Sequence, residues 1–369
     1  MKNIKDDKFF MNLALSLAKR NIGKTGSNPS VGCVIVSNDN EILSTGVTGI
    51  GGSPHAEYNA LKKIKKGNRK LILYTTLEPC SHIGKNPSCV KGIVDARVSK
   101  VIIALKDKNP LVNGKGIKAL KKHKIDVVLG VLEKEALPIY SSFFYHMKTG
   151  KPNINLKIAS SADGKTALKN GKSKWITNQL SRNYGHRLRS LHDGIMVGIN
   201  TVLIDNPSLD CRLPGLEVFS PTRIILDSRL RIPLNSKIVK TGNNINTFIF
   251  TAKNPPQKKM EILERNGIKV IEASKSKNGL SFERVLTKLG KLNLQNILIE
   301  GGHKLIATAF VSKHLKDVYW FSSEKIIGEE GLSSVGKLNI SNLDNSPNLR
   351  FNSMINLNNN YLKIFERKI

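Results

Sequence analysis

One histidine, one glutamate and two cysteines are the residues of this 369-residue chain with the clearest chemical potential. His55 and Glu57 are two residues apart, and Cys80 and Cys89 follow. An imidazole and two thiolates are ligands that zinc favours, and three protein ligands leave one position for water. Zinc lowers the pKa of such a water to about 7, and a carboxylate like that of Glu57 can carry protons to an amine leaving group. We therefore predict a zinc-dependent deaminase acting on an amino-substituted heterocycle.

The same residues allow other interpretations. A His-x-Glu pair alone fits an ordinary core or turn group, or a structural zinc, whereas its combination with two cysteines among α/β elements favours catalysis. His82 follows Cys80 by two residues, and we interpret it as contacting the substrate or a ligand rather than as a fourth ligand. His123, His146 and His314 lie in lysine-bearing helical segments and are predicted to be surface residues.

The interval between the two cysteines and the distribution of charge limit the class of substrate that we expect. Eight residues separate Cys80 from Cys89, whereas deaminases of cytidine and of nucleic-acid bases usually have Pro-Cys-x-x-Cys. The net charge is +31, but the lysines are spread along the chain and aromatics make up only 6%, unlike nucleic-acid surfaces that interleave the two. We expect no nucleic-acid partner and favour a small phosphate-bearing substrate. The alternatives are a tRNA adenosine deaminase with an appended binding domain, and a zinc-stabilised regulatory protein, against which the intact Glu57 argues.

Hydrophobic periodicity predicts alternating helices and strands in the first half, and hence a layered α/β sheet. His55 would begin a helix, and Cys80 would follow a strand at a turn whose backbone amides favour a thiolate. The predicted helices are 7–20, 55–65, 117–123 and 133–147, and the predicted strands are 31–36, 71–75, 101–105 and 126–129.

The second half repeats the α/β style after a boundary that contains Gly and Pro. We predict domains at 1–147 and 153–369, joined by a linker at 148–152. An Asn-rich segment, 339–360, reads as a loop, and Gly185 with His186 weakens the helix that contains them. The predicted strands are 153–160, 194–197, 222–226, 246–250, 269–272, 296–299 and 361–365, and the predicted helices are 179–191, 282–289 and 304–313.

A Gly-Gly pair after a strand is a physical cue for cofactor binding in this half. Gly301 and Gly302 follow Glu300 at a predicted helix start, where unpaired amides can hold a phosphate. A plain tight turn explains the glycines equally well. A Gly-x-Gly-x-x-Gly fingerprint after a strand is absent from the sequence.

Cysteine usage and hydropathy indicate the compartment. Four cysteines are too few for a disulfide framework in a chain of this size. Cys33 lies in an apolar run and is predicted to be a core residue, while Cys211 stands alone. Neither a signal-peptide pattern nor an apolar run of about 20 residues is present, so we expect a cytoplasmic protein with no membrane partner.

Two sets of motifs resemble one family. The stretch 76–89 and the loop 28–32 are similar to the deaminase domain of the RibD family of bifunctional riboflavin-biosynthesis enzymes. Asn86 and Ser88 stand where that family usually has Thr and Pro. Both lie between the ligands, so they leave the zinc assignment intact, and the details of substrate contact are where we expect this chain to differ from the family. The second half resembles the family's reductase domain along runs 156–165, 173–177, 189–198, 201–209, 227–233 and 300–302.

The resemblance implies a cytidine-deaminase-like α/β/α sandwich followed by a dihydrofolate-reductase-like α/β domain. It implies zinc-dependent hydrolytic removal of the 2-amino group of 2,5-diamino-6-(5-phosphoribosylamino)pyrimidin-4(3H)-one. NADPH-dependent reduction of the ribosyl group would then give 5-amino-6-(5-phosphoribitylamino)uracil. The preference for NADPH over NADH rests on the resemblance, as does a possible homo-oligomer.

Residue roles in the reductase half are likewise carried over by motif. The implied cofactor contacts are Ala159, Trp175, Thr201, Asp205, Ser228, Gly302, His303, Lys304, Leu305, Ile306, Ala307 and Thr308. The implied substrate contacts are Ser173, Arg189, Leu209, Arg212 and Glu300. Arg189 and Arg212 could hold a phosphate by charge-assisted hydrogen bonds, and Glu300 could bind ribose hydroxyls. Core packing is the alternative for Trp175, and a solvated charge is the alternative for the two arginines.

Overall fold

The computed structural model describes residues 4–65, 70–82, 87–276 and 279–368, so Asn86 lies outside the described residues. The chain divides into two compact units, Met1–Gly150 and Lys151–Ile369. The last helix of the first unit ends at Thr149, so it includes the first two residues of the predicted linker, 148–152. Gly150 ends that helix in a left-handed conformation with φ 66°, which glycine adopts without steric cost.

The first unit is a five-stranded sheet with helices on both faces. Its helices are α1 (Ile4–Arg20), α2 (Ala56–Leu61), α3 (Cys89–Asp95), α4 (Lys115–Lys122) and α5 (Glu133–Thr149), and its strands are β1 (Gly32–Ser37), β2 (Ile42–Val47), β3 (Leu71–Leu77), β4 (Val98–Leu105) and β5 (Asp126–Leu129). The strand order is β2-β1-β3-β4-β5. β1 runs antiparallel to both neighbours, and β3, β4 and β5 are parallel.

The register of β1 against β2 places α1 and α2 on opposite faces of this sheet. Gly32 lies so close to α1 that a Cβ there would be 1.9 Å from the Ala14 carbonyl oxygen. Gly46 lies equally close to α2, because a Cβ at Gly46 would be 2.1 Å from the Ala56 carbonyl oxygen. Cys33 pairs with Gly46, so these two residues face the same side of the sheet. Gly32 precedes Cys33 in the strand and therefore faces the other side, because successive residues of a strand point to opposite faces. The unit is therefore the three-layer α/β/α sandwich that the family resemblance implied.

The second unit is built on a nine-stranded sheet and has two further sheets of two strands each among its described residues. The strands of this unit are β6 (Asn153–Ser160), β7 (Lys165–Ala167), β8 (Gly194–Gly198), β9 (Thr222–Leu226), β10 (Thr247–Thr251), β11 (Ile268–Glu272), β12 (Lys275–Ser276), β13 (Gly279–Leu280), β14 (Asn296–Glu300), β15 (Leu315–Ser323), β16 (Leu332–Ser333), β17 (Leu349–Asn356) and β18 (Asn360–Arg367). Its helices are α6 (Gln179–Ser190), α7 (Ile199–Asp205), α8 (Lys237–Lys240), α9 (Gln257–Arg265), α10 (Phe282–Lys291) and α11 (His303–Phe310). The strand order of the large sheet is β11-β10-β9-β8-β14-β6-β15-β18-β17. At one edge of it, β18 runs antiparallel to β15, and β17 runs antiparallel to β18.

Several sequence predictions of elements were wrong or incomplete. The segment 339–360 is not a loop throughout, because β17 occupies Leu349–Asn356 as the edge strand of the large sheet. The helix predicted over 55–65 is only Ala56–Leu61. Gly185 and His186 do not interrupt α6, in which Gly185 is buried. The longer elements β2, α3, α7, α9 and β15 were not predicted, and neither were the short elements β7, α8, β12, β13 and β16.

Two of the three histidines predicted to lie at the surface are buried. His146 is 8% exposed and His314 is 2% exposed. His146 lies on the buried side of α5, and the His314 ring contacts Glu283. His123 is exposed at the end of α4, as predicted. Cys33 is fully buried in the first core, also as predicted. Among the described residues, we find no helix with both the length and the apolarity needed to cross a membrane.

Candidate active sites

His55, Cys80 and Cys89 meet at one point in the first unit. Nδ1 of His55 lies 3.2 Å from Sγ of Cys89 and 3.5 Å from Sγ of Cys80. The three donor atoms all lie within 4.8 Å of one another, and both cysteines are buried. The structure thus brings together the three ligands that the sequence predicted.

This arrangement fits zinc. Tetrahedral zinc with Zn–N of about 2.0 Å and Zn–S of about 2.3 Å places nitrogen and sulfur about 3.5 Å apart, close to the observed separations. The hydrogen bond with Cys89, and then that with His55, lowers the pKa of the Cys80 thiol to about 4. Cys80 is therefore readily a thiolate, which is the form that binds metal.

Three local features position these ligands. His55 is the residue immediately before α2, and the missing side chain of Gly46 lets that end of α2 lie directly on β2. Cys89 is the first residue of α3. Ser88 caps α3 by accepting a hydrogen bond from the Lys91 amide, and its hydroxyl donates to the Cys80 carbonyl oxygen at 3.2 Å. Ser88 therefore joins the two cysteine segments.

Glu57 lies beside the ligands and is 3% exposed. Its Oε1 accepts a hydrogen bond from the Thr75 hydroxyl at 3.0 Å, and its Oε2 is 3.4 Å from Sγ of Cys89. Burial raises the pKa of Glu57 above its ordinary value. A buried carboxylate with a raised pKa, next to a metal site, binds a proton more readily than an exposed one and is suited to accepting and returning it.

Glu78 holds the loop that leads to Cys80. It is buried, and its carboxylate accepts backbone hydrogen bonds from Asp107, Gly114 and Ile117. These bonds tie the end of β3 to the segments around α4. The sequence motif placed Glu78 next to the ligands without indicating this structural role.

A cavity of about 360 Å³ is lined by His55, Cys80 and Glu57. Its wall includes His82, in agreement with the predicted substrate contact but without testing it, and the loop residues Asn28 and Pro29. Asp107 also lines it, and burial raises the pKa of Asp107 to about 6. Sequence reasoning missed Asp107, because it follows β4 with no motif around it.

A second cavity, of about 280 Å³, lies in the second unit near the carboxyl ends of β6 and β14. Ligands of parallel α/β sheets commonly bind at this edge. It gathers seven of the residues implied by the resemblance: Ala159, Ser173, Trp175, Arg189, Asp205, Arg212 and Glu300.

Glu300 and Arg189 form a two-point ion pair in the wall of this cavity. Nε and Nη2 of Arg189 donate to the two carboxylate oxygens at 2.8 and 2.9 Å. Burial alone would raise the pKa of Glu300, but the charge and hydrogen bonds of Arg189 hold it at about 2. The Arg189 side chain is 15% exposed, so it is not the solvated charge considered as an alternative.

Lys157 is a cavity residue that sequence reasoning did not single out. It pairs with Glu300 in the register of β6 against β14, and its Nζ lies 3.9 Å from Oε2 of Glu300. Burial lowers its pKa. The run 156–165 contained it, but the spread of lysines through the chain hid it.

Trp175 is 60% exposed, so core packing does not explain it. The Arg182 guanidinium lies 4.1 Å from the centre of its indole ring, a cation–π contact that holds the ring in place. The Arg212 side chain is 58% exposed. Leu209, in contrast, is 3% exposed and packs in the core, so its side chain faces away from the cavity.

The remaining implied cofactor residues lie outside the wall of this cavity. Gly301 and Gly302 both have positive φ, and an added Cβ at either would be about 3.5 Å from Oγ1 of Thr201. Thr201 therefore lies beside the turn that begins α11, whose first residues His303 and Lys304 are exposed while Leu305, Ile306 and Ala307 are buried. Thr308 is exposed, and Ser228, half-buried, follows β9.

Two family models cover most of the chain. Residues 4–105 match the cytidine and deoxycytidylate deaminase zinc-binding region, and residues 152–363 match the RibD C-terminal domain. The riboflavin biosynthesis protein RibD of Aquifex aeolicus is 37% identical over 98% of both chains. Among solved structures, RibD of Acinetobacter baumannii is 30% identical with a TM-score of 0.90 over the whole of both chains. The diaminohydroxyphosphoribosylaminopyrimidine deaminase/5-amino-6-(5-phosphoribosylamino)uracil reductase of Thermotoga maritima is 31% identical, with a TM-score of 0.86 over 99% of both chains.

Proposed function

Because the chain belongs to the RibD family, we propose residue roles for the two reactions of a bifunctional deaminase and reductase of riboflavin biosynthesis. The deaminase reaction uses zinc and the reductase reaction uses NADPH. We assign the first reaction to the unit 1–150 and the second to the unit 151–369. The substrate of the first would be 2,5-diamino-6-(5-phosphoribosylamino)pyrimidin-4(3H)-one, the 2-amino group leaving as ammonia.

In the first unit, His55, Cys80 and Cys89 would hold the zinc. The metal, when bound, supplies a water acidic enough to lose a proton near neutral pH. Glu57 would take that proton and return it to the departing amine. Its burial, its distance of 3.4 Å from Sγ of Cys89 and its place beside His55 and Cys80 in the cavity wall support this role. His82 and Asp107, from the cavity wall, would contact the pyrimidine.

In the second unit, the substrate would lie over Glu300 with its phosphate towards Arg212 and Ser173. Arg189 already engages both oxygens of Glu300, but each carboxylate oxygen can accept more than one hydrogen bond. Glu300 can therefore accept from ribose hydroxyls while Arg189 fixes its orientation. The charge of Arg189, Arg212 and Lys157 in one cavity supports an anionic substrate.

NADPH supplies the hydride when bound in the same cleft. Trp175, Ala159 and Asp205 would contact it at the cavity, and Thr201, Ser228 and the segment 302–308, which is Gly302 with the start of α11, would contact it further out. The positive φ of Gly301 and Gly302 supports this proposal, because a backbone free of Cβ atoms at a helix start admits a phosphate. Leu209 is buried, so only its backbone could reach the substrate.

The convergence of three zinc-ligating atoms with the buried Glu57 carries the deaminase proposal. To test it, the diaminopyrimidine phosphate is supplied with and without NADPH, and both products are identified. We expect ammonia and the ribosylaminouracil without NADPH, and the ribitylaminouracil with it. Glu57→Gln should keep one zinc per chain and lose ammonia release, yet still reduce the deaminated compound. Ammonia release at the unaltered rate would refute the role of Glu57.

We propose a small pyrimidine phosphate as the binding partner of both cavities. We propose that the enzyme acts in the cytoplasm and that it can form a homo-oligomer, as the resemblance to the family implies. Size-exclusion chromatography with light scattering measures the oligomeric state directly.

A further inference from the structure

His186 lies between the two arginines of the reductase cavity. It is a half-buried residue of α6, one turn before Arg189. Its Nε2 lies 3.3 Å from Nη2 of Arg212, and its Nδ1 lies 3.2 Å from the Asp210 carbonyl oxygen. The ring therefore joins α6 to the segment that carries Arg212.

The hydrogen-bond network fixes the tautomer of His186. A guanidinium can only donate, so the contact with Nη2 of Arg212 requires an unprotonated Nε2. The proton of the neutral ring then lies on Nδ1, which donates to the Asp210 carbonyl oxygen. The opposite tautomer would let Nδ1 accept from the Arg212 amide at 3.3 Å, but would direct Nε2–H at the guanidinium. Burial, and then the charges of Arg189 and Arg212, lower the pKa of His186, which favours the neutral ring.

Further contacts hold the same segment. Nη1 of Arg212 lies 3.1 Å from Oδ1 of Asp210, and Nη1 of Arg189 donates to the Asp210 carbonyl oxygen at 2.9 Å. Sγ of Cys211 donates to the His186 carbonyl oxygen at 3.3 Å. Arg212 is thus held from one side by Asp210 and from another by His186, although more than half of its side chain is exposed.

We propose that His186 is a positioning residue for substrate binding, accepting a hydrogen bond from Arg212 and so directing its guanidinium towards the substrate phosphate. An exposed arginine otherwise samples many rotamers, and freezing them opposes binding. By accepting a hydrogen bond from Nη2, Nε2 of His186 orders the Arg212 side chain before the substrate binds. The inference rests on the proposed role of Arg212 in holding the phosphate.

The test measures KM and kcat for reduction of 5-amino-6-(5-phosphoribosylamino)uracil by NADPH in the full chain. His186→Gln places an amide oxygen near the position of Nε2 and keeps an acceptor for Arg212. His186→Asn keeps a donor for Asp210 but does not reach Arg212. We expect KM to rise about three- to tenfold in H186N, with kcat within about twofold, and to remain near the unaltered value in H186Q. Should H186N not fold, H186F, which also lacks the acceptor, takes its place.

Arg212→Ala completes a double-mutant cycle. If His186 acts through Arg212, H186N should add nothing to the KM of R212A. An unchanged KM in R212A would overturn the phosphate role of Arg212 and this inference with it. A raised KM in R212A together with an unchanged KM in H186N would overturn the inference alone. So would a KM rise from H186N that persists in full in the R212A background.

Discussion

The Thr75 hydroxyl lies 3.0 Å from Oε1 of Glu57, and both side chains are buried. Thr75 belongs to the central strand β3, whereas Glu57 belongs to the first turn of α2. The same hydroxyl also lies 3.2 Å from the Leu77 carbonyl oxygen. Its single proton favours the carboxylate, because a charged acceptor makes the stronger hydrogen bond. The sheet thereby fixes the orientation of the proposed proton carrier.

Replacement of Thr75 should therefore impair deamination without loss of the metal. Thr75→Val has nearly the same shape but no hydroxyl, and a hydrogen bond to a charged group is worth about 1.5–3 kcal/mol. We expect kcat for ammonia release to fall at least about tenfold, with zinc content and NADPH-dependent reduction unchanged. Thr75→Ser, which keeps the hydroxyl, is the matched control and should retain most of the activity. Equal ammonia release by T75V and the unaltered enzyme would show that Glu57 does not need this bond.

Ser88 leads to a prediction about zinc retention. Its hydroxyl caps α3 and donates to the Cys80 carbonyl oxygen, so Ser88→Ala removes both contacts at once. Loss of such a cap costs about 1 kcal/mol of stability. When only the zinc-bound state is destabilised by this amount, the barrier to zinc release falls equally, and zinc is lost roughly fivefold faster. Zinc transfer to a colourimetric chelator measures this rate. Ser88→Thr can still cap and should behave like the unaltered protein, and identical rates for all three would mean that Ser88 does not support the ligands.

Much of the deaminase site could be predicted from sequence because its chemistry is local. Ligand type and spacing identified His55, Cys80 and Cys89, and the structure brings these three together. Thr75, by contrast, contacts Glu57 only because α2 lies against the sheet. Asp107 enters the same cavity from the end of β4. Contacts of this kind depend on tertiary packing, which single-sequence patterns do not encode.

The secondary-structure elements of the reductase half could likewise be predicted only in part. The buried strands β8, β9 and β14 have continuous apolar runs and were predicted within a residue or two. The edge strand β17 was missed, because its exposed face is rich in polar residues and its Asn content suggests a loop. The pairing of Lys157 with Glu300 depends on the register of β6 against β14, and neither residue indicates the other in the sequence.

Arg223 should be essential for the stability of the second unit. It is fully buried in β9 and donates to oxygen atoms of Ser208, Thr241, Ile245 and Thr247. Arg223→Met would fill similar volume but leave these acceptors without a donor, and each buried unsatisfied group costs about 1–3 kcal/mol. We expect the free energy of unfolding of this unit to fall by about 3 kcal/mol or more in urea titrations. Arg187→Met, at an exposed position of α6, is the control and should change it little.

His192 should make the stability of the second unit pH-dependent. Its ring is 4% exposed; Nδ1 faces the Leu188 carbonyl oxygen at 2.6 Å, and Nε2 faces Nδ2 of Asn155 at 2.9 Å. The neutral ring can donate to the first and accept from the second. Burial lowers the pKa of His192 to about 4, against about 6.5 in an unfolded chain. Between these values the unfolded chain binds the proton and the folded chain does not, so stability falls as the pH drops from about 6.5 to about 4.

His192→Gln removes this titration while keeping an acceptor for Asn155. From pH 7 to pH 5, the unaltered protein should lose about 2 kcal/mol more of its unfolding free energy than H192Q does, as measured by urea titration at each pH. Asp193, whose pKa burial raises to about 6, contributes with the opposite sign, but it does so in both proteins and cancels from the difference. Parallel stability curves for the two proteins would mean that His192 is not held neutral in the fold.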